Sequence, residues 1–240
     1  MIRLNKYLAK AGIASRRNAD LLLQQGRVAV NGQVISQLGT SIDESKDKVT
    51  FDDKPVKLKD EFFYLMLNKP TGYIVSVKDE KDRSVVMELI PAEYRRYVKP
   101  VGRLDRDTSG LLLLTNDGEL AFKLTHPRYN INKTYHAKCR NRLTTSAIEK
   151  FQKGIELDDG PTQPADIEIL SLKDDQSEFR ITIHEGRKRQ VRRMCLAVGC
   201  PVISLKRIAF GPLILDQLKV KNCRILSDRE IRALKKAIGL

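Results

Sequence analysis

The chain has 240 residues, 44 Lys and Arg against 30 Asp and Glu, and a formal net charge of +14; 41% of residues are hydrophobic. That is enough chain for a packed core, and Gly 14 and Pro 9 exclude a collagen-like sequence. No apolar run approaches the ~20 residues that cross a bilayer. The opening MIRLNKYLAKAGIASRR lacks a continuous apolar stretch, so no secretory leader and no membrane partner are expected, and a cytoplasmic location is. Cys139, Cys195, Cys200 and Cys223 form no C-x-x-C pair, and no His stands at zinc-finger spacing, so reduced, buried thiols and no metal site are expected. The charge excess points to a polyanionic partner, nucleic acid ahead of an anionic membrane surface.

In chain order, Leu4, Tyr7, Leu8 and Ala11 recur at i, i+3, i+4, i+7 and predict a helix that Gly12 can end in a left-handed cap. Ser15 can N-cap a second helix carrying Ala19, Leu22 and Leu23, stopped by Gly26. Val28 and Val30 alternate into Asn31-Gly32, a two-residue hairpin signal, with Val34 on the return strand. Within residues 1–35 the basic side chains Arg3, Lys6, Lys10, Arg16, Arg17 and Arg27 face Asp20 alone. Arg3, Lys6, Arg16, Arg17 and Arg27 are therefore candidate contacts to an RNA backbone, with plain solvation of a helix face as the alternative.

The segment Arg3-Leu4-Asn5-Lys6-Tyr7-Leu8, Ala14-Ser15-Arg16-Arg17, Gly26-Arg27-Val28 and Val30-Asn31-Gly32 resembles the S4 RNA-binding domain. Residues 40–60 mix six acidic with five basic side chains, and a linker is expected near 56–61. The expected domains are thus 1–60 and 61–240. Beyond the linker, FFYLMLN (62–68) reads as a buried strand, GLLLLTNDG (110–118) as an apolar run closed by turn chemistry, and EFRITIHEG (178–186) as a half-buried strand. Ser227-Asp228-Arg229-Glu230 has the capping-box form ahead of a last helix.

Three segments carry chemistry. In Gly102-Arg103-Leu104-Asp105-Arg106-Asp107-Thr108-Ser109-Gly110-Leu111, glycines bracket a polar loop in which carboxylates stand among guanidinium groups. Such carboxylates stay ionised, as a nucleophile or base must; a charged surface turn is the alternative. A Mg²⁺ site is discounted because the flanking Arg side chains compete with a metal and no third acidic ligand is near. The second segment, His184-Glu185-Gly186-Arg187-Lys188-Arg189-Gln190-Val191-Arg192-Arg193-Met194, sets Arg187, Lys188, Arg189, Arg192 and Arg193 at a helix start whose apolar stripe is Val191, Met194 or Cys195, and Val198. A Gly turn, a helix N-terminus and this much Arg predict phosphate binding. The third is Asn132-Lys133-Thr134-Tyr135, whose Tyr could stack on an extruded base.

Together these segments, with Asn68-Lys69-Pro70-x-Gly72 and His126-Pro127, resemble the RsuA/RluB/RluE/RluF family of ribosomal RNA pseudouridine synthases over essentially the whole chain. The leading Gly102, in place of a His, separates this family from the related RluA type. The resemblance implies an α+β fold: a small S4-type domain, then a catalytic domain with a mixed, mainly antiparallel sheet flanked by helices and crossed by a cleft. It implies isomerisation of a uridine to pseudouridine without cofactor or metal. Asp105 would be the catalytic carboxylate, Tyr135 would pack on the target base, and Arg192 would pair with Asp105. Arg103, Arg187, Lys188, Arg189 and Arg193 would join the S4 cations in binding RNA.

The expected partner is ribosomal RNA within an assembling large subunit, met by a monomer. Arg189 before Gln190 and the pair Arg192-Arg193 look more like the RluB type than the small-subunit RsuA type, so 23S RNA is expected as target. A 16S-modifying enzyme of RsuA type and a non-catalytic S4 assembly factor are the alternatives. An S4-fused methyltransferase would need a Gly-rich cofactor turn, and the sequence has none.

Overall fold

The computed structural model describes residues 1–58, 61–77 and 82–240. Contacts divide the chain into Met1–Phe62 and Phe63–Leu240.

In the first unit, β1 (Ile2–Arg3) leads into α1 (Leu4–Lys10), and α2 (Arg16–Gln24) follows. Leu4, Tyr7 and Leu8 are buried on one side of α1, as the spacing predicts. Gly12 takes φ +77° and the Ile13 N–H returns to the Leu8 carbonyl, the left-handed stop expected there. Ser15 caps α2 by accepting from the Asn18 N–H at 3.2 Å. β2 (Val28–Val30) and β3 (Gln33–Val34) make the hairpin, with Asn31 and Gly32 both at positive φ. After β4 (Ser41–Ile42), β2 pairs on its other side with β5 (Val49–Phe51), which pairs with β6 (Lys54–Pro55). Val56 is not linker. It is buried with Leu4, Leu8 and Val49, its N–H reaches the Val49 carbonyl, and the Tyr7 hydroxyl donates to its carbonyl. Part of the expected linker, residues 59 and 60, lies outside the described residues.

The second unit is built on a mixed sheet. β7 (Tyr64–Lys69) is followed by β8 (Lys99–Pro100), β9 (Thr108–Thr115), α3 (Gly118–Thr125), β10 (Lys133–Arg140), α4 (Thr145–Lys153) and the hairpin β11 (Glu156–Leu157) and β12 (Gly160–Pro161). Then come β13 (Asp166–Leu172), β14 (Gln176–Ile183), α5 (Gln190–Ala197), β15 (Val202–Phe210), β16 (Leu213–Ile214), β17 (Cys223–Ile225) and α6 (Asp228–Ala237). The order across the sheet is β13-β14-β10-β15-β9-β7-β17, with β8 on β9 and β16 on β15. All pairs are antiparallel except β9 with β15.

The central strands are buried on both faces, which explains their continuous apolar runs. Tyr64 and Met66 of β7 and Leu111 and Leu113 of β9 pack with Leu120 and Leu124 of α3 and Leu234 of α6. Leu65, Leu67, Leu112 and Leu114 point the other way, into the core shared with Phe151 of α4 and Met194 and Cys195 of α5. Each such leucine contributes ~1.5–3 kcal/mol by leaving water. Asn116-Asp117-Gly118 is more than a turn, because the Asp117 carboxylate caps α3 through the Leu120 N–H. Ser227 and Glu230 form the expected reciprocal cap of α6. All four cysteines are free thiols, three of them buried.

The parallel contact between β9 and β15 depends on Gly110. Gly110 has φ +105°, and a Cβ there would lie 2.2 Å from the Arg207 carbonyl oxygen. Gly110→Ala is therefore expected to destabilise the second unit by ~2 kcal/mol or more, read as a lower urea midpoint with an unchanged m-value. An unchanged midpoint would show that the two strands tolerate wider spacing.

Candidate active site

A cleft of about 690 Å³ opens on the second unit. The loop before β9 supplies Arg103, Leu104 and Asp105; β10 supplies Lys133 and Tyr135; the turn before α5 supplies Lys188 and Arg189; β15 supplies Leu205 and Arg207. Asp105 and Tyr135, far apart in sequence, thus meet in one cavity.

The Asp105 loop is held from below by a buried ammonium. Lys69, at the end of β7, is 0% exposed. Its Nζ donates to the carbonyls of Pro70 (3.0 Å), Asp105 (3.1 Å), Arg106 (3.4 Å) and Thr108 (2.8 Å). Burial pulls the Lys69 pKa from 10.5 down to about 8, while the negative charges of Asp107 and Asp105 oppose the shift. Arg106 and Gly72 exchange a second pair of bonds: the Gly72 N–H reaches the Arg106 carbonyl, and Arg106 Nε reaches the Gly72 carbonyl. So the backbone of the loop is anchored, while the Asp105 carboxylate has no hydrogen bond or ion pair with the described residues. The strand is legible in the sequence and Asn68-Lys69-Pro70 belongs to the family pattern, but the role of Lys69 shows only in the fold. Its one local signal is a lysine closing an otherwise buried strand.

Asp107 lies in a different environment. Arg189 grips its carboxylate at 3.0 and 2.8 Å, and Arg192 Nε stands 3.3 Å from it. The hydrogen bonds from Arg189, with the charge of Arg192, hold the Asp107 carboxyl below its ordinary range. This corrects the expected pairing of Arg192 with Asp105. Arg192 also donates to the Asp107 carbonyl at 2.9 Å and does not line the cleft, because Asp107 intercepts it two residues past Asp105.

The rest of the basic run is also less free than its sequence suggests. Arg187 holds the β11–β12 turn through Asp159 (3.1 Å) and the carbonyls of Gly160 and Pro161, and it pairs with Glu185. Arg193 pairs with Asp158 and Asp159 and does not reach the cleft. Arg193 and then Arg187 bring the Asp159 carboxyl down to about 2. The run holds few acidic residues, but the fold brings carboxylates to it from elsewhere in the sequence. Lys188 and Arg103 line the cleft exposed and without an ion-pair partner among the described residues. In the first unit Lys6, Arg16 and Arg17 are exposed; Arg3 donates to the Gly39 carbonyl, and Arg27 is clasped by Asp52 and stacked on Phe51. Arg3 and Arg27 therefore serve their own fold as well as presenting charge.

Two further cations line the cleft: Arg207 stands outside every sequence motif, and Lys133 lies within Asn132-Lys133-Thr134-Tyr135 with no role of its own read there. Arg207 is 2% exposed on β15, and Lys133 is half-buried at the start of β10. Burial, then the charge of Arg207, brings the Lys133 pKa down to about 8, against the pull of Glu185. The alternation of β15, Leu205 then Arg207 on one face, is the signal that could have found the arginine. Among the described residues no group of three or more His, Cys, Asp or Glu could hold a metal, and no helix is long and apolar enough to cross a membrane.

A carboxylate and an aromatic ring that line one cleft edged by cations suit a reaction on one nucleotide of an RNA. Comparison with known proteins agrees. Residues 63–197 match the RNA pseudouridylate synthase family, and residues 2–57 match the S4 domain. The chain is 45% identical over 237 residues to the ribosomal large subunit pseudouridine synthase B of Bacillus subtilis, covering 98% of this chain and 96% of that one. It is 42% identical to an uncharacterized RNA pseudouridine synthase of Aquifex aeolicus, covering 100% and 96%. The crystal structure of a pseudouridylate synthase, 32% identical, superposes with a TM-score of 0.72 over 98% of this chain and 100% of that one. The resemblance read from the motifs is borne out: the chain belongs to the RNA pseudouridylate synthase family and carries an S4 domain ahead of its synthase domain.

Proposed function

We propose that the chain converts a uridine of 23S ribosomal RNA to pseudouridine, with Asp105 as the reacting carboxylate and Tyr135 packed on the base. The observation that carries this assignment is the contrast between two neighbouring carboxylates. Asp107 is paired with two guanidinium groups, whereas Asp105 has no hydrogen-bond or ion-pair partner among the described residues and lines the same cleft as Tyr135. The large-subunit target is supported by the Bacillus subtilis relative named for it. The basic surface and the S4 domain support ribosomal RNA as partner. Action as a monomer, in the cytoplasm where ribosomal RNA is assembled, belongs to the same proposal.

The reaction breaks N1–C1′, turns the uracil, and joins C5 to C1′; C5 loses its hydrogen as a proton and N1 gains one, so the change is an isomerisation. The target base must first leave its stack, at a cost of a few kcal/mol. Packing on Tyr135 offsets ~1–3 kcal/mol of that. Asp105 can then attack C1′ or take a ribose proton, and either step needs an ionised carboxylate. Arg192, through Asp107, fixes the far side of the Asp105 loop and so acts as a positioning residue. Arg103 and Lys188 hold the RNA backbone at the cleft mouth. Arg187, Arg189 and Arg193, clasped by carboxylates, contribute field more than direct contacts, and Arg3, Lys6, Arg16, Arg17 and Arg27 extend the contact from the S4 domain.

The test is incubation of the purified protein with unmodified 23S and 16S transcripts, free and in immature subunits, followed by chemical mapping of pseudouridine. One converted uridine in 23S RNA is expected. Conversion confined to 16S RNA would move the target to the small subunit, and no conversion in any substrate would leave an RNA-binding protein without this activity.

A further inference from the structure

The floor of the cleft holds a buried guanidinium with an unused donor. Arg207 pairs across β10 and β15 with Tyr135, so the two side chains leave the same face of the sheet. Its Nε donates to the Leu111 carbonyl at 2.8 Å, and its Cζ lies 4.9 Å from the centre of the Phe210 ring. Its Nη2 is buried and has no hydrogen-bond partner, and no carboxylate pairs with it among the described residues. Lys133, also in the cleft, spends two of its three ammonium hydrogens on the carbonyls of Ile131 (2.8 Å) and His184 (3.3 Å).

A buried, unpaired charge is among the costliest features a fold can keep. Here it stands next to a second cation. Glu185 is the nearby acid for Lys133, but its carboxylate is engaged by Arg187, by Gln190 and by the Gln163 N–H. A neutral carbonyl would satisfy the donor and leave the charges uncompensated. An anion satisfies both, and a phosphate oxygen suits the planar fork of an arginine.

We propose that Arg207 and Lys133 form a phosphate subsite on the cleft floor that takes a backbone phosphate next to the target nucleotide. The inference rests on the RNA-modifying reading above and extends it: it names two residues that draw the RNA strand inward beside Tyr135. The floor charge is left unpaired in the free protein so that a phosphate can complete it.

The test follows the ¹³Cε signals of the lysines in the full-length protein, with the Lys133 signal assigned from its loss in Lys133→Met. The probes are the dinucleotide UpU, uridine and inorganic phosphate. UpU is expected to raise the Lys133 pKa by about one unit, since a nearby anion favours the ammonium, and uridine is expected to leave it unchanged. In Arg207→Lys, which keeps the charge and loses the fork, the UpU response should shrink; should that variant fail to fold, the wild-type comparison decides alone. An equal rise with uridine would assign the acceptor to the base or ribose and overturn the proposal. A rise with inorganic phosphate and none with UpU would reduce the site to a free-ion site and overturn it too. Pseudouridine formation is scored separately. Conversion of RNA by a protein whose Lys133 ignores UpU would remove the subsite and leave the reaction standing, and the reverse result would keep the subsite and remove the reaction.

Discussion

Asp105→Asn is expected to bind ribosomal RNA as tightly as the wild type and to convert it at least ~10³-fold more slowly. The amide has the shape of the carboxylate and neither its charge nor its basicity, so it can neither attack C1′ nor accept a ribose proton. The loop should keep its conformation, because the contacts that hold it run through the backbone carbonyls of Asp105, Arg106 and Thr108 and not through the Asp105 side chain. Single-turnover rates beside filter-binding curves separate the two effects. Asp107→Asn provides the contrast: it removes the ion pairs with Arg189 and Arg192, leaves the Arg192 bond to the backbone carbonyl, and should lower the rate by loosening the loop, without abolishing it. If Asp107→Asn proved the dead variant and Asp105→Asn the active one, the roles of the two carboxylates would have to be exchanged.

Lys69→Met should carry the second-largest loss. Methionine fits the buried space and cannot donate to the four carbonyls now gathered around Nζ. Unsatisfied carbonyls cost ~1–3 kcal/mol each, but burying an uncharged side chain in place of an ammonium recovers part of that. A net destabilisation of ~1–3 kcal/mol is expected. Activity should fall further, by ~10²-fold, because a loop displaced by about an ångström misplaces the reacting carboxylate. The same lysine sets a pH dependence. It titrates near 8 in the fold and near its ordinary 10.5 in the unfolded chain. Between those values the unfolded chain binds more protons, so the contribution of Lys69 to stability rises with pH across that window. Activity should move the opposite way, declining above pH 8 as the clamp loses its charge. Urea midpoints and kcat/KM measured from pH 6 to 10 would therefore diverge; a flat rate to pH 10 would show that the clamp does not need its charge.

Local structure was largely legible in the sequence, because local chemistry determines it. The Leu4/Tyr7/Leu8 stripe, the Ser15 cap, the Asn31-Gly32 hairpin and the Ser227–Glu230 box each form as their residues require. The strand at FFYLMLN and the run after Gly110 were visible as apolar stretches too continuous for a solvent-facing strand. What the sequence could not show is which distant residues meet. The basic run 187–193 looked like uncompensated charge, since Asp107, Asp158 and Asp159 reach it only through the fold. Arg192 reaches the expected loop and pairs there with Asp107 instead of Asp105 for the same reason. Lys69 and Lys133 lie inside sequence motifs and Arg207 in none, and the importance of all three comes from burial, which no single residue announces.

The most direct measurement uses the hydrogen that C5 must lose when it bonds to C1′. Ribosomal RNA labelled with tritium at C5 of its uridines is incubated with wild-type protein and with Asp105→Asn, both shown to be folded and to bind the RNA. The account predicts release of one equivalent of tritium per RNA by the wild type and none by Asp105→Asn. No release from the wild type on either ribosomal RNA, or release by Asp105→Asn at the wild-type rate, would contradict it.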